Sequence, residues 1–196
     1  MSVAGRFVTV EGPNGVGKST IVAEVCLQLQ EREYPVLHTK ELTPRFVRSN
    51  EESCRGYDLA LLIAEDRAYH LQEEILPALA GGKIVVCDRY IETSLVCQGM
   101  DGVPQVAIWE LNCHFLVPDL SIHLIASADV LGERLAQRKT LTRFEREATP
   151  SDELIFYQTA RDFLQLHGFN ITVIDNGSRS SAETVGSVIS AILALK

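Results

Sequence analysis

The chain has 196 residues, of which 46% are hydrophobic and 22% charged, and its formal net charge is −8. That length suits one domain with one sizeable core, no run approaches the roughly 18 apolar residues of a membrane helix, and the acidic balance excludes a broad electrostatic surface for nucleic acid. Cys26, Cys54, Cys87, Cys97 and Cys113 form no CxxC pair and suit no closed disulfide framework, so they read as free thiols in a reducing cytoplasm.

Met1 to Arg6 holds no charged leader followed by a long apolar segment, so export is not expected. Phe7–Glu11 is the first near-continuous apolar run of strand length, and Val36–Thr39, Ile84–Asp88, Leu120–Ile125 and Ile171–Asp175 follow it. Continuous apolar character belongs to strands covered on both faces. Helical periods are expected at about 18–32, 57–80, 104–115, 128–138, 151–167 and 180–195, with turn signals at Gly81-Gly82, Pro118, Gly168 and Asn176-Gly177. This alternation predicts an α/β fold in one domain over 1–196, with a parallel sheet of about five strands and helices on both faces. The charged stretch Arg138 to Glu153 has few apolar residues and reads as a solvated flap.

Residues 12–19, GPNGVGKS, match GxxxxGK[ST] and lie directly between an apolar strand and a helix. Gly12, Gly15 and Gly17, with Asn14 and Val16 between them, let the backbone turn its N–H groups onto phosphate oxygens at the positive end of the helix dipole. Lys18 is expected to reach the β- and γ-phosphates, Ser19 to ligate Mg²⁺ and Thr20 to touch the α-phosphate, which makes ATP and Mg²⁺ the expected cofactors. The loop is expected to face solvent and the lysine to pack against little. Asp88 ends the third apolar run, where it would order Mg²⁺ through water or, alternatively, cap the next helix. Arg89 beside it offers a guanidinium suited to an acceptor phosphate.

The segments EGPNGVGKST, AEDRAYH, CDRYIETSLVCQG and RFE resemble, in order and spacing, the thymidylate kinases, and the resemblance spans nearly the whole chain. It implies a three-layer P-loop NTPase fold with a short lid at about 138–150, and ATP-dependent phosphoryl transfer to a nucleoside monophosphate, dTMP to dTDP foremost. By that similarity Arg89 binds the acceptor phosphate and Arg67 faces the base, with Ile63, Ser94 and Gln98 around the acceptor. Arg138, Arg143 and Arg146 would belong to a lid over ATP, Arg45 or Lys40 would add a phosphate contact, and Asp175-Asn176-Gly177 would pass near adenine. Arg134, Arg138 and Arg143 also fit a solvated helix face. A homodimer is implied, using the apolar faces of 57–80 and 104–115 with Trp109, and neither nucleic acid nor membrane is a partner.

Several positions depart from the family pattern. Asn14 stands where a loop carboxylate is usual, Ile63 where a phenylalanine stacks on the pyrimidine, Cys97 where a tyrosine packs on the sugar, and Thr39 to Arg45 replaces TREPGG. These changes spare the ATP half and alter the acceptor half. A kinase for a modified nucleotide or another phosphorylated small molecule is therefore the competing expectation, and a regulatory NTPase without an acceptor is a third.

Overall fold

Five strands form where the sequence runs continuously apolar: β1 (Arg6–Glu11), β2 (Val36–Lys40), β3 (Ile84–Asp88), β4 (Leu120–Ile125) and β5 (Ile171–Asp175). The computed structural model describes residues 5–195, so the part of the leader reading that falls on residues 1–4 lies outside it. The strands pair in parallel in the order β2-β3-β1-β4-β5. The helices are α1 (Lys18–Glu31), α2 (Asn50–Ser53), α3 (Gly56–His70), α4 (Leu76–Ala80), α5 (Ile91–Met100), α6 (Gln105–Asn112), α7 (Ala128–Ala136), α8 (Arg143–Glu147), α9 (Pro150–Leu166) and α10 (Ser181–Leu193).

Alternate side chains of each strand point to opposite faces, and both faces are covered. Val8, Val10, Val86 and Ile122 pack with Ile21, Val25 and Leu29 of α1 and with Val185, Val188 and Ile192 of α10. Phe7, Val85 and Cys87 pack on the other side with Ile91 and Leu95 of α5 and with Tyr157, Ala160 and Leu164 of α9. Because β1 lies between β3 and β4, the crossovers diverge around its carboxyl end, and a crevice opens there.

Three expectations need correction. The helix expected at 57–80 is interrupted, since α3 passes through a π-helical segment, Leu71–Ile75, before α4. Helix α5 was not among the expected helical periods: Ile91, Glu92, Ser94, Leu95, Val96, Cys97 and Gln98 are buried, so burial on almost every side erases the one-sided period that marks a surface helix. The flap is not wholly solvated, because α8 begins with a reciprocal Thr142–Glu145 capping box and buries Arg143 and Phe144. Trp109 packs edge-on to Phe163 and Phe169 within the same chain, so its ring serves this chain's own core.

Candidate active site

The loop after β1 is shaped by glycine. Gly12, Gly15 and Gly17 take φ of 135°, 82° and 97°, and a Cβ at Gly12 would lie 2.3 Å from the Leu124 carbonyl oxygen. Gly17 caps α1 without any side-chain bond, which leaves the first-turn N–H groups available to an anion. Lys18 corrects the expectation of a lysine packed against little: it is 6% exposed, and its Nζ donates to the carbonyls of Gly12 at 2.5 Å and Pro13 at 2.8 Å. Burial, reinforced by Arg89, lowers its pKa to about 7.

Opposite the loop, Ser19 Oγ donates to Asp88 Oδ2 at 2.6 Å, while Asp88 Oδ1 is buried without a partner. No cluster of three or more His, Cys, Asp or Glu side chains suited to a metal occurs among the described residues. A lone carboxylate beside a hydroxyl is the kind of donor set Mg²⁺ uses when substrate phosphates and water complete its shell. Arg89 follows with φ of 76°, a left-handed conformation uncommon outside glycine. Its guanidinium donates to Asn14 Oδ1 at 2.7 Å, Thr93 Oγ1 at 3.2 Å and the Tyr157 hydroxyl at 3.3 Å. The corner is anchored from β1 by Glu11, which accepts from Tyr90 N at 2.6 Å and Thr93 Oγ1 at 2.6 Å. Burial and neighbouring Glu92 push the Glu11 carboxyl up to about 8. Sequence reasoning passed over Glu11, although its place directly before the glycine loop was the available signal.

Two cavities open at this point. Gly15, Gly17, Lys18, Ser19, Thr20 and Arg138 line the phosphate cavity. Ile63, Arg67, Ser94, Cys97, Gln98 and Phe144 line the other, of about 170 Å³. Asn14, Arg89 and Thr142 line both. A family model described as thymidylate kinase matches residues 10–187.

The chain belongs to the thymidylate kinase family. It is 34% identical to a probable thymidylate kinase of Caldivirga maquilingensis, across 96% of this chain and 92% of that protein. It is 33% identical to a thymidylate kinase of Staphylococcus epidermidis, across 88% of this chain and 86% of that one.

Within this thymidylate kinase framework, the residues expected around the acceptor are held in distinct ways. Arg67 is buried and its guanidinium is gripped by Glu41 at 2.8 and 2.6 Å, by Ser94 Oγ at 2.9 Å and by Asn112. Gln98 is fully buried with neither amide atom partnered. Ile63 joins Leu42, Phe46, Cys97 and the lid's Phe144 in an apolar cluster. Arg48 and Glu51, which the sequence did not single out, also line this cavity, whereas Arg45 lies over the Tyr69 ring at 4.6 Å and lines neither. Lys40 lines neither cavity.

The lid arginines separate. Arg138 lines the phosphate cavity and pairs with Glu145. Arg143 is not brought to either cavity: it is buried, it donates to both Asp101 oxygens at 2.6 and 2.9 Å and to the Glu51 carbonyl at 2.7 Å. A guanidinium satisfied this way holds the lid to α2 and to the residue that caps the end of α5, and does not reach for phosphate. Arg146 reaches Glu52 at 2.7 Å. Arg134 donates to the carbonyls of Gly15, Val16 and Asn176, and Asn176 Nδ2 donates to Val16, which ties the loop after β5 to the phosphate loop.

Proposed function

We propose that this chain is a thymidylate kinase, transferring the γ-phosphoryl group of ATP to dTMP to give ADP and dTDP. The observation that carries the reading is the seam between the two cavities, lined from both sides by Asn14, Arg89 and Thr142. A donor and an acceptor phosphate that meet there crowd negative charge, and Lys18, Arg89 and Arg138 are the cations at hand. An acceptor phosphate oxygen forms its bond to the γ-phosphorus as the bond to the bridging oxygen breaks and its electron pair leaves with ADP. That oxygen is already an anion, so no general base is needed.

Ser19 and Asp88 fit Mg²⁺, given the orphaned Oδ1 of Asp88. When bound, the ion neutralises phosphate charge and orients the transferring group. On the acceptor side, the free Gln98 amide offers one donor face and one acceptor face, which complements the paired N–H and C=O of a pyrimidine imide. Leu42, Ile63 and Phe144 supply apolar cover for the ring.

No helix among the described residues is long and apolar enough to cross a membrane, and a cytoplasmic homodimer remains part of the proposal. Tyr57, Leu61, Tyr69 and Leu76 are exposed along α3 and α4 and Val106 on α6, and they are apolar positions that such pairing would use.

A second reading, an acceptor larger or more polar than dTMP, is favoured by Arg48 and Glu51 on the cavity wall together with the small Cys97. ADP release with ATP·Mg²⁺ and a panel of nucleoside monophosphates separates the two. Strongest stimulation by dTMP supports the first; stimulation by another acceptor alone supports the second, and none by any acceptor sinks both.

A further inference from the structure

We propose that Glu153 is a positioning residue for phosphoryl transfer: from the first turn of α9 it supplies, through Asn14, the negative charge and the orientation that hold Arg89 at the seam. The inference rests on the transfer reading above and concerns how the Arg89 clamp is held.

Glu153 is 5% exposed and lines neither cavity. All of its side-chain hydrogen bonds go to one residue. Asn14 N lies 3.0 Å from both carboxylate oxygens, and Asn14 Nδ2 donates to Oε1 at 3.0 Å. A carboxylate can only accept, so the NH₂ end of the Asn14 amide must face it, and the carbonyl end must face the other way. There it accepts from Arg89 at 2.7 Å. The orientation is fixed twice, since a guanidinium can only donate.

The chain Glu153, Asn14, Arg89 therefore runs from a buried anion to a buried cation through one amide. A family-typical carboxylate in the phosphate loop would meet Arg89 directly; here an amide occupies the loop and the charge sits one residue further back, on α9. Burial pushes the Glu153 carboxyl up, while the Asn14 N–H and the neighbouring cations Lys18 and Arg89 oppose that rise by favouring its ionised form. Glu153 read from sequence as the end of a solvated charged stretch, because a glutamate in the first turn of a helix has a local explanation in the helix dipole.

The test moves the charge. In Glu153→Gln an amide oxygen at the place of Oε1 can still accept from both Asn14 N and Asn14 Nδ2, so the variant removes the charge, sets an NH₂ beside Asn14 N and weakens the hold on the Asn14 amide. We expect kcat/KM for dTMP to fall about 10- to 100-fold, mostly through a rise in the KM for dTMP, while the KM for ATP holds. Asn14→Asp alone is expected to be impaired as well, because it sets two carboxylates within hydrogen-bonding distance. The double variant Asn14→Asp with Glu153→Gln returns the charge to the loop and leaves every group partnered, and is expected to recover most of the lost transfer.

Wild-type kcat/KM in Glu153→Gln, or a folded double variant no better than the single ones, would overturn the proposal. If Glu153→Gln fails to fold, Asn14→Asp and the double variant carry the same test: impairment followed by recovery supports it, and full activity of Asn14→Asp overturns it. Dependence of wild-type ADP release on dTMP is measured alongside; its absence would sink the transfer reading itself.

Discussion

Ser19 Oγ lies 2.6 Å from Asp88 Oδ2, joining the first turn of α1 to the last residue of β3. The contact spans the crevice mouth and leaves Asp88 Oδ1 as a buried acceptor without a partner. Asp88→Asn keeps a group able to accept from Ser19 and removes the charge. It is expected to raise the Mg²⁺ requirement or lower kcat by about 10- to 100-fold. Rate against free Mg²⁺ checks this, and an unchanged curve would remove Asp88 from the metal account.

Lys18 gives a proton-linked prediction for ATP. Its pKa in the free protein is lowered to about 7 by burial and by Arg89. The negative charge of bound phosphates favours the ammonium, so ATP binding above that pH should take up a proton, and ATP affinity should weaken as pH rises through it. Titration calorimetry in buffers of different ionisation enthalpy measures the uptake. Lys18→Ala is expected to abolish it and to lower transfer about 10²- to 10³-fold.

Glu11 and Lys18 tilt stability in opposite directions. Glu11 rises from 4.5 to about 8 through burial and Glu92, so the folded state holds a proton that the unfolded chain has lost. Its contribution is present below the lower value and is lost as pH rises towards the upper one. For Lys18 the folded value is the depressed one, so stability rises as pH climbs from about 7 towards 10.5. Urea midpoints against pH should therefore fall on the acid side of neutrality and recover on the alkaline side. Glu11→Gln, which can still accept from Tyr90 N, should flatten the first limb and spare the second.

Lid docking rests on Arg143 and Asp101, both nearly fully buried, with Phe144 packed beside them. Asp101→Asn removes the buried partner of the guanidinium and leaves only the more exposed Glu147 at 3.2 Å, a loss of up to about 3 kcal/mol for a buried pair. The cost should appear as lid opening before global unfolding. Amide hydrogen exchange across 142–149 is expected to accelerate about 100-fold, with KM for dTMP rising as Phe144 leaves the cavity roof. Unchanged exchange would mean that other contacts hold the lid.

The strands and the phosphate loop could be read from the sequence because each depends on local pattern: β3 and β4 have the bounds their apolar runs gave. Strand order and the seam could not, since they arise from pairings far apart along the chain. Helix α5 escaped for a different reason, as burial on nearly all sides hides its period. Lys18 and Arg143 looked like solvated cations, and only the folded chain supplies the carbonyls of Gly12 and Pro13 and the carboxylate of Asp101 that bury them. Gln98 was recognisable by family spacing, whereas the bonds of Glu153 to Asn14 cross 139 positions of sequence.

Transfer across the seam lined by Asn14, Arg89 and Thr142 carries the γ-phosphoryl group from ATP into dTDP in the proposed reaction. The most direct measurement is rapid-quench transfer from γ-labelled ATP with Mg²⁺ and dTMP, with wild type and Arg89→Ala compared. Label recovered in dTDP in proportion to ADP formed, and transfer reduced about 10²- to 10³-fold in the variant, is the predicted result. Label released only as inorganic phosphate, at a rate indifferent to dTMP and to Arg89, would contradict it.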